Sequence, residues 1–195
     1  VRRSDWQYAD NVQAAAYAVG MVLRPGLRGT ANAVVAASTL AGRTALLLEG
    51  LNKIGLSVAS SRLFGQEHAL HAPGSFSSTA LLNDCRVSGA VLLNGRGKLA
   101  FQGCDFTDAR EAPLEARSGQ LSLLGCLLLQ EGSRVRLAGE VRRARLIGND
   151  IQRAPSIESA SRGDVMLTRH RFWFPRHSGQ PRHAAPPPRP AGKEL

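Results

Sequence analysis

The sequence predicts an all-β fold: a right-handed parallel β-helix of about six to seven coils, with a disordered C-terminal tail. Two observations carry this. The stretch Gly97-Lys98-Leu99-Ala100-Phe101-Gln102-Gly103-Cys104-Asp105-Phe106 returns 22 residues later as Gly119-Gln120-Leu121-Ser122-Leu123-Leu124-Gly125-Cys126-Leu127-Leu128. Anchored on the turn residue, the pattern recurs at Ser38, Ser61, Cys85, Cys104, Cys126, Asn149 and His170, at spacings of 23, 24, 19, 22, 23 and 21. Around each anchor the places five before, three before and two after are apolar, and none of these 21 positions is polar. That is strand alternation, a tight turn around a small buried residue, and a return to the core.

Residues 1–9 are mostly polar, with two aromatics, Trp6 and Tyr8. The Ala-rich run Asp10 to Val19 reads either as a short capping helix or as one more repeat. In the second case Val12, Ala15 and Tyr17 lie 23 residues ahead of the Ser38 group, and Asp10 falls at an inward place. Residues 1–29 are thus a cap or a first coil, with Gly20-Met21-Val22-Leu23 as a strand closed by Pro25-Gly26. From Ala33 onward the ladder is regular. Its inward places are Ala33, Leu56, Ala80, Leu99, Leu121, Ala144 and Val165, then Val35, Val58, Leu82, Phe101, Leu123, Leu146 and Leu167. The third set is Leu40, Leu63, Val87, Phe106, Leu128, Ile151 and Phe172.

A second strand follows each turn, with Leu46, Leu70, Leu92, Leu114, Val135 and Ile157 expected inward. Gly74, Gly95, Gly97, Gly119, Gly139 and Gly163 punctuate the return. Residues 1–174 form the solenoid. The segment 175–195, with Pro186-Pro187-Pro188 and Pro190 among scattered Arg and His, lacks the apolar residues to offset its ordering entropy.

A strand repeat of this length suits a leucine-rich repeat or a parallel β-helix. The former needs an apolar residue three places ahead of the first inward one. Those places are Thr30, Lys53, Ser77, Arg96, Ser118, Val141 and Arg162, and only one is apolar. The strict hexapeptides of left-handed β-helices are absent, and a right-handed helix remains. The units at 97–106, 119–128 and 146–151, with their stacked Ser/Cys/Asn column, resemble coils of the pectate lyase superfamily and its asparagine-ladder turn. The resemblance covers residues 30 to 172 and implies the C-terminal part of such a protein, with further coils upstream. It also implies a secreted or cell-surface location and an interaction with polysaccharide. The activity it suggests is that of a polysaccharide lyase or glycoside hydrolase, although the same fold serves inert stalks and adhesins.

The composition narrows the partners. The formal charge is +10, and the last 25 residues set Arg171, Arg176, Arg182, Arg189 and Lys193 against Glu194 alone, leaving the body at +6. Such a balance suits an anionic polysaccharide, a membrane surface or nucleic acid about equally. No aromatic-plus-basic cluster of the kind that stacks bases is visible, so nucleic acid is not expected. No apolar run is long enough to insert in a membrane. The chain opens at Val1 without a signal peptide, as expected of a mature or excerpted piece. Three Cys, an odd number at equivalent places in successive repeats, point to buried free thiols and not to a disulfide framework.

Phosphate loops, nucleophile elbows, zinc spacings and EF-hand loops are missing, and so are the polygalacturonase signature segments. No cofactor is expected, with one candidate exception. Asp105, Asp108, Glu111 and Glu115 form an acidic loop whose oxygens suit Ca²⁺, set against a plain solvated turn with Arg110 and Arg117 as partners. On the outward face of the second strand, Leu47, His71, Leu93, Glu115, Arg136 and Glu158 are expected in one column. Glu115 and Glu158, two coils apart at about 4.8 Å per coil, are the candidate catalytic carboxylates. Their separation of about 9–10 Å is near the upper end for an inverting glycosidase pair. The competing reading is a salt-bridge ladder. His71, Arg117, Arg134 and Arg136 are the candidate substrate-binding residues. His170, at the last turn, reads as a capping histidine.

Overall fold

The structure, a computed structural model, describes residues 7–23, 32–50, 55–106, 114–128, 134–152, 156–168 and 171–173. Every regular element among them is a strand, and the strands stack in parallel into a solenoid of about six turns. The first sheet runs through β1 (Gln7–Asp10), β4 (Ala33–Ala36), β6 (Leu56–Ala59), β8 (Thr79–Asn83) and β10 (Lys98–Gln102). It continues into the ends of β11 (Leu114–Leu124) and β13 (Arg134–Ile147) and into β16 (Asp164–Thr168). The second sheet holds β2 (Gln13–Ala15), β3 (Val19–Leu23), β5 (Thr39–Leu48), β7 (Arg62–Ala72) and β9 (Arg86–Leu93). It then takes the beginnings of β11 and β13, and β15 (Ser156–Ser159). A third, short sheet joins β12 (Leu127–Leu128), β14 (Asp150–Gln152) and β17 (Arg171–Trp173).

The inward columns form one continuous core. Leu56, Leu82, Leu99, Phe101, Leu121, Leu123 and Leu146 are buried, as are Leu40, Leu63, Val87, Phe106 and Leu128. Each large side chain of this kind contributes about 1.5–3 kcal/mol by leaving water. Leu167 differs: it occupies an inward place yet is 46% exposed, because it lies in the last described coil.

The turn between the first strand and the next has the same backbone at each described corner. The residue before each anchor has positive φ: Asn11 (49°), Ala37 (45°), Ser60 (48°) and Asp84 (50°), then Gly103 (61°), Gly125 (59°) and Gly148 (64°). From Ser38 to Asn149 the anchor side chain points inward and satisfies backbone groups of its own and the neighbouring coil. Ser61 Oγ accepts from the Ser38 N–H at 3.1 Å and donates to the Ala59 carbonyl at 2.7 Å. Ser38 does the same for Val12 and Ala36. Asn149 Oδ1 accepts from the Cys126 N–H at 2.8 Å, and its Nδ2 donates to the Leu123 carbonyl at 3.1 Å. The three thiols are free and buried, each against the carbonyl two residues back and one in the preceding coil. Contact with the Cys104 thiol, followed by burial, pushes Cys85 up. Contact with Cys126 leads the rise of Cys104 to about 12, and contact with Cys104 lowers Cys126.

Three expectations change. The Asp10–Val19 run is a coil and not a helix, and its offset to the next coil is 26 residues instead of 23, with Gln7 opposite Ala33 and Gln13 opposite Thr39. Val12 therefore takes the anchor place and Asp10 is exposed, which removes the objection of an inward carboxylate. In the second strand the inward residue is Val91 and not Leu92: Val91 lies opposite Leu70 and Leu114, and Leu93 is buried. The register shifts between Phe64 and Leu70 place extra residues of β7 in an irregular stretch that β9 does not share. Finally, Gly119 and Gly139 do not break the chain, since β11 and β13 run on through them. The predicted tail, 175–195, and His170 lie outside the described residues.

Two stability measurements check this architecture. A Cβ on Gly125 or Gly148 would meet nothing within 4 Å, so Gly125→Ala isolates the cost of the left-handed backbone. Urea unfolding should show a loss of about 1 kcal/mol, with Ala37→Gly neutral or stabilising. A harmless Gly125→Ala would contradict the turn. Thiol titration of the native chain should find almost no reactive sulfur, and three after denaturation, because each Cys is at most 1% exposed.

Candidate functional site

Register places the outward column of the second sheet in one straight row: Val22, Leu47, His71, Leu92, Glu115, Arg136 and Glu158. Leu92 takes the place expected of Leu93. The row changes character along its length, from apolar in the early coils to charged in the late ones. Glu115 Oε1 accepts from Arg117 Nε of its own strand at 2.6 Å, and Arg136 Nε donates to Glu158 Oε2 across one coil at 3.0 Å. Both candidate catalytic carboxylates thus hold a guanidinium. Arg134 is exposed one residue before inward Val135, opposite Ser156, with no ion-pair partner among the described residues. Arg117, Arg134 and Arg136 therefore stand together on neighbouring strands of one face.

His71 sits in this row between Leu47 and Leu92 and stacks on His68 with ring centroids 5.3 Å apart. Its Nε2 is buried without a hydrogen-bond partner among the described residues. Burial, then the neighbouring His68 and Arg117 charges, hold its pKa below the ordinary 6.5. His71 is accordingly neutral at neutral pH and lies within electrostatic reach of Arg117.

Of the candidate calcium ligands, Asp105 Oδ2 faces Arg86 Nε at 3.6 Å, with Arg86 opposite it in the adjoining coil. Asp108 and Glu111 lie outside the described residues. Among the described residues no three His, Cys, Asp or Glu side chains are placed to hold a metal ion.

A second surface feature was not foreseen. Where β5, β7 and β9 bend from the turn corner into the second sheet, Gly42, Gly65 and Gly89 occupy successive coils, each four residues past the anchor. A Cβ on Gly65 would strike the His68 carbonyl. One on Gly89, whose φ is 113°, would strike the Gly65 carbonyl. Only glycine permits so close an approach. The bend leaves an open groove of about 530 Å³ lined by Ala15, Ala41, Phe64, Gln66, Ser88 and Tyr17. Tyr17 is 94% exposed at its rim, and Phe64 is half-buried. The residues adjoining Gly42 and Gln66 close an ion pair across two coils, Arg43 Nη2 to Glu67 Oε1 at 2.7 Å. The glycine recurrence was the available sequence signal, but it falls just past the anchor triplet and outside the repeat as first drawn.

The geometry defines a parallel β-solenoid with a charged row on one sheet and a glycine-floored groove at one corner. The chain matches no family model, and no curated protein and no solved structure matches it significantly.

The His71 geometry fixes the sign of a pH effect. The unfolded chain binds the His71 proton more readily than the folded one. The stability of the neutral ring is therefore fully present above the unfolded pKa of 6.5 and is lost as pH falls through the lower folded value. Urea midpoints measured from about pH 7 to about pH 5 should fall more steeply for the wild type than for His71→Leu, which extends the neighbouring leucine row. Equal slopes would show that His71 does not couple folding to pH.

Proposed function

We propose that this chain is a non-catalytic solenoid segment that binds an extended acidic polysaccharide along its second sheet. The observation carrying this reading is the set Arg117, Arg134 and Arg136 on adjacent strands, with Arg134 lacking an ion-pair partner among the described residues and the other two in solvent-exposed pairs. Arg134 and Arg136 stand two residues apart on one strand, about 6.6 Å, and Arg117 lies on the neighbouring strand two residues past Glu115, the residue opposite Arg136, so the three guanidinium groups offer successive contacts to an extended acidic chain. They can engage carboxylate or sulfate in a bidentate manner. A ligand carboxylate can displace Glu158 from Arg136 at little cost, since exposed ion pairs are weak. The same ion pairs favour binding over hydrolysis, because each candidate catalytic carboxylate is already engaged by an arginine. Membership of the pectate lyase superfamily, suggested by the turn column, and a secreted or surface location belong to this reading.

The test is binding of the full chain to polyuronate, sulfated glycan, neutral glycan and single-stranded nucleic acid at several salt concentrations. Acidic glycans should bind at low salt and weaken as salt rises. Arg134→Ala/Arg136→Ala should reduce affinity about tenfold or more, the equivalent of about 1.4 kcal/mol, while the unfolding midpoint stays unchanged. Indifference to the double substitution would remove this face. Preference for nucleic acid would replace the polysaccharide.

A further inference from the structure

The groove floored by Gly42, Gly65 and Gly89 has no role in binding along the second sheet, and its chemistry differs. Its lining is apolar and aromatic with a few polar groups, Gln66 and Ser88 among them, and it carries no uncompensated charge. Tyr17, 94% exposed at the rim, and the partly buried Phe64 give this groove an aromatic lining. The sequence contains one motif that the proposed function leaves unused, the run Pro186-Pro187-Pro188-Arg189-Pro190.

We propose that this proline-rich segment docks in the groove of its own chain, against Tyr17 and Phe64. Such runs are preformed as polyproline II helices, with backbone carbonyls turned outward and little conformational entropy left to lose. They are recognised by aromatic-lined grooves with a few hydrogen-bond donors. Tyr17, Phe64 and the Gln66 amide provide that set.

The position of the chain's exit makes the contact reachable. Trp173 ends β17 opposite Gln152, three residues past the anchor place of its coil. Phe64 and Ser88 stand three residues past the anchors Ser61 and Cys85. The chain therefore leaves the solenoid on the same longitudinal row as the groove. Five coils separate Trp173 from Phe64, about 24 Å at 4.8 Å per coil. The residues from Phe174 to Pro186 span about 40 Å when extended as polyproline II. A tether of that length holds the segment at an effective concentration of about a millimolar, so a weak intrinsic affinity is enough to keep the groove occupied. Charge favours the same end of the molecule. On β13, Arg136 and Arg143 are paired with Glu158 and Asp164, but Arg134, Arg142 and Arg145 add positive charge that disfavours a tail carrying Arg182 and Arg189, whereas the groove rim is neutral.

Carbon-detected NMR of the full chain tests this by comparing the proline signals of residues 186–190 with those of a free synthetic peptide of residues 183–192. Docking predicts shifted signals in the wild type, unchanged on dilution. They should return to the free-peptide positions in Phe64→Ala and in Tyr17→Ala. The exposed Tyr17 site keeps the test informative if Phe64→Ala unfolds. Wild-type signals identical to those of the free peptide would overturn the proposal, as would signals that move on dilution. A neutral oligosaccharide that perturbs Tyr17 and Phe64 while the prolines stay free would also overturn it and assign the groove to sugar. Because β13 variants test the polysaccharide face separately, each reading can fail without the other.

Discussion

Each coil of this solenoid depends on one corner, where a left-handed residue is followed by a buried side chain that must satisfy backbone groups of the coil beside it. The left-handed residue reverses the chain sharply enough for the next strand to begin at once. The buried Ser, Cys or Asn then closes hydrogen bonds that the corner would otherwise leave unmet inside the core, where an unpaired polar group costs about 1–3 kcal/mol. Because each anchor meets a defined N–H or carbonyl in the adjoining coil, the corner also sets the register of the sheets. A slip of one residue would turn every inward leucine outward. Asn149 and the serines meet both demands with ordinary hydrogen bonds. The cysteines do so more weakly, as small apolar residues with a soft donor.

This corner is also why the architecture was legible. Three apolar places and one small residue, repeated along the chain, leave few alternatives, and the inward columns of the first sheet lie where the repeat puts them. The errors have physical causes. The first coil is three residues longer than the repeat, so its alignment on Val12 could not be found by extending a 23-residue ruler back from Ser38. In the second strand Val91, Leu92 and Leu93 are all apolar, so alternation alone cannot say which one faces inward. The answer depends on how β7 bulges in the neighbouring coil. Gly119 looked like a break because positive φ often ends a strand, yet here it bends one that continues. The groove was hidden for a related reason: its glycines matter through backbone approach between coils, and no hydrophobic pattern reports that.

The functional surfaces inherit the repeat but not its uniformity. Parallel stacking converts a residue's place in the coil into a straight row on the surface, so one substitution per repeat writes a stripe. Along the second sheet that stripe passes from Val22 and Leu47, through His71 and Leu92, to Glu115, Arg136 and Glu158. The early coils thus offer a face of low charge and a neutral groove, and the later coils an arginine-rich one. Two chemically distinct stations on one rigid axis follow from a single structural rule.

The unbroken passage of β11 and β13 through both sheets has a mechanical consequence. In the earlier coils the two sheets meet at separate strands, so a load on one is relayed through a turn. From Leu114 to Leu124 the pairing with β13 runs through both sheets with two bulges, so a force along the surface is borne by one pair of strands instead of being handed from one strand to the next. Stiffness is therefore unevenly distributed along the axis. The stack should open first where the second-sheet strand and the next first-sheet strand are separate, as between β9 and β10, before it yields at the doublet formed by β11 and β13.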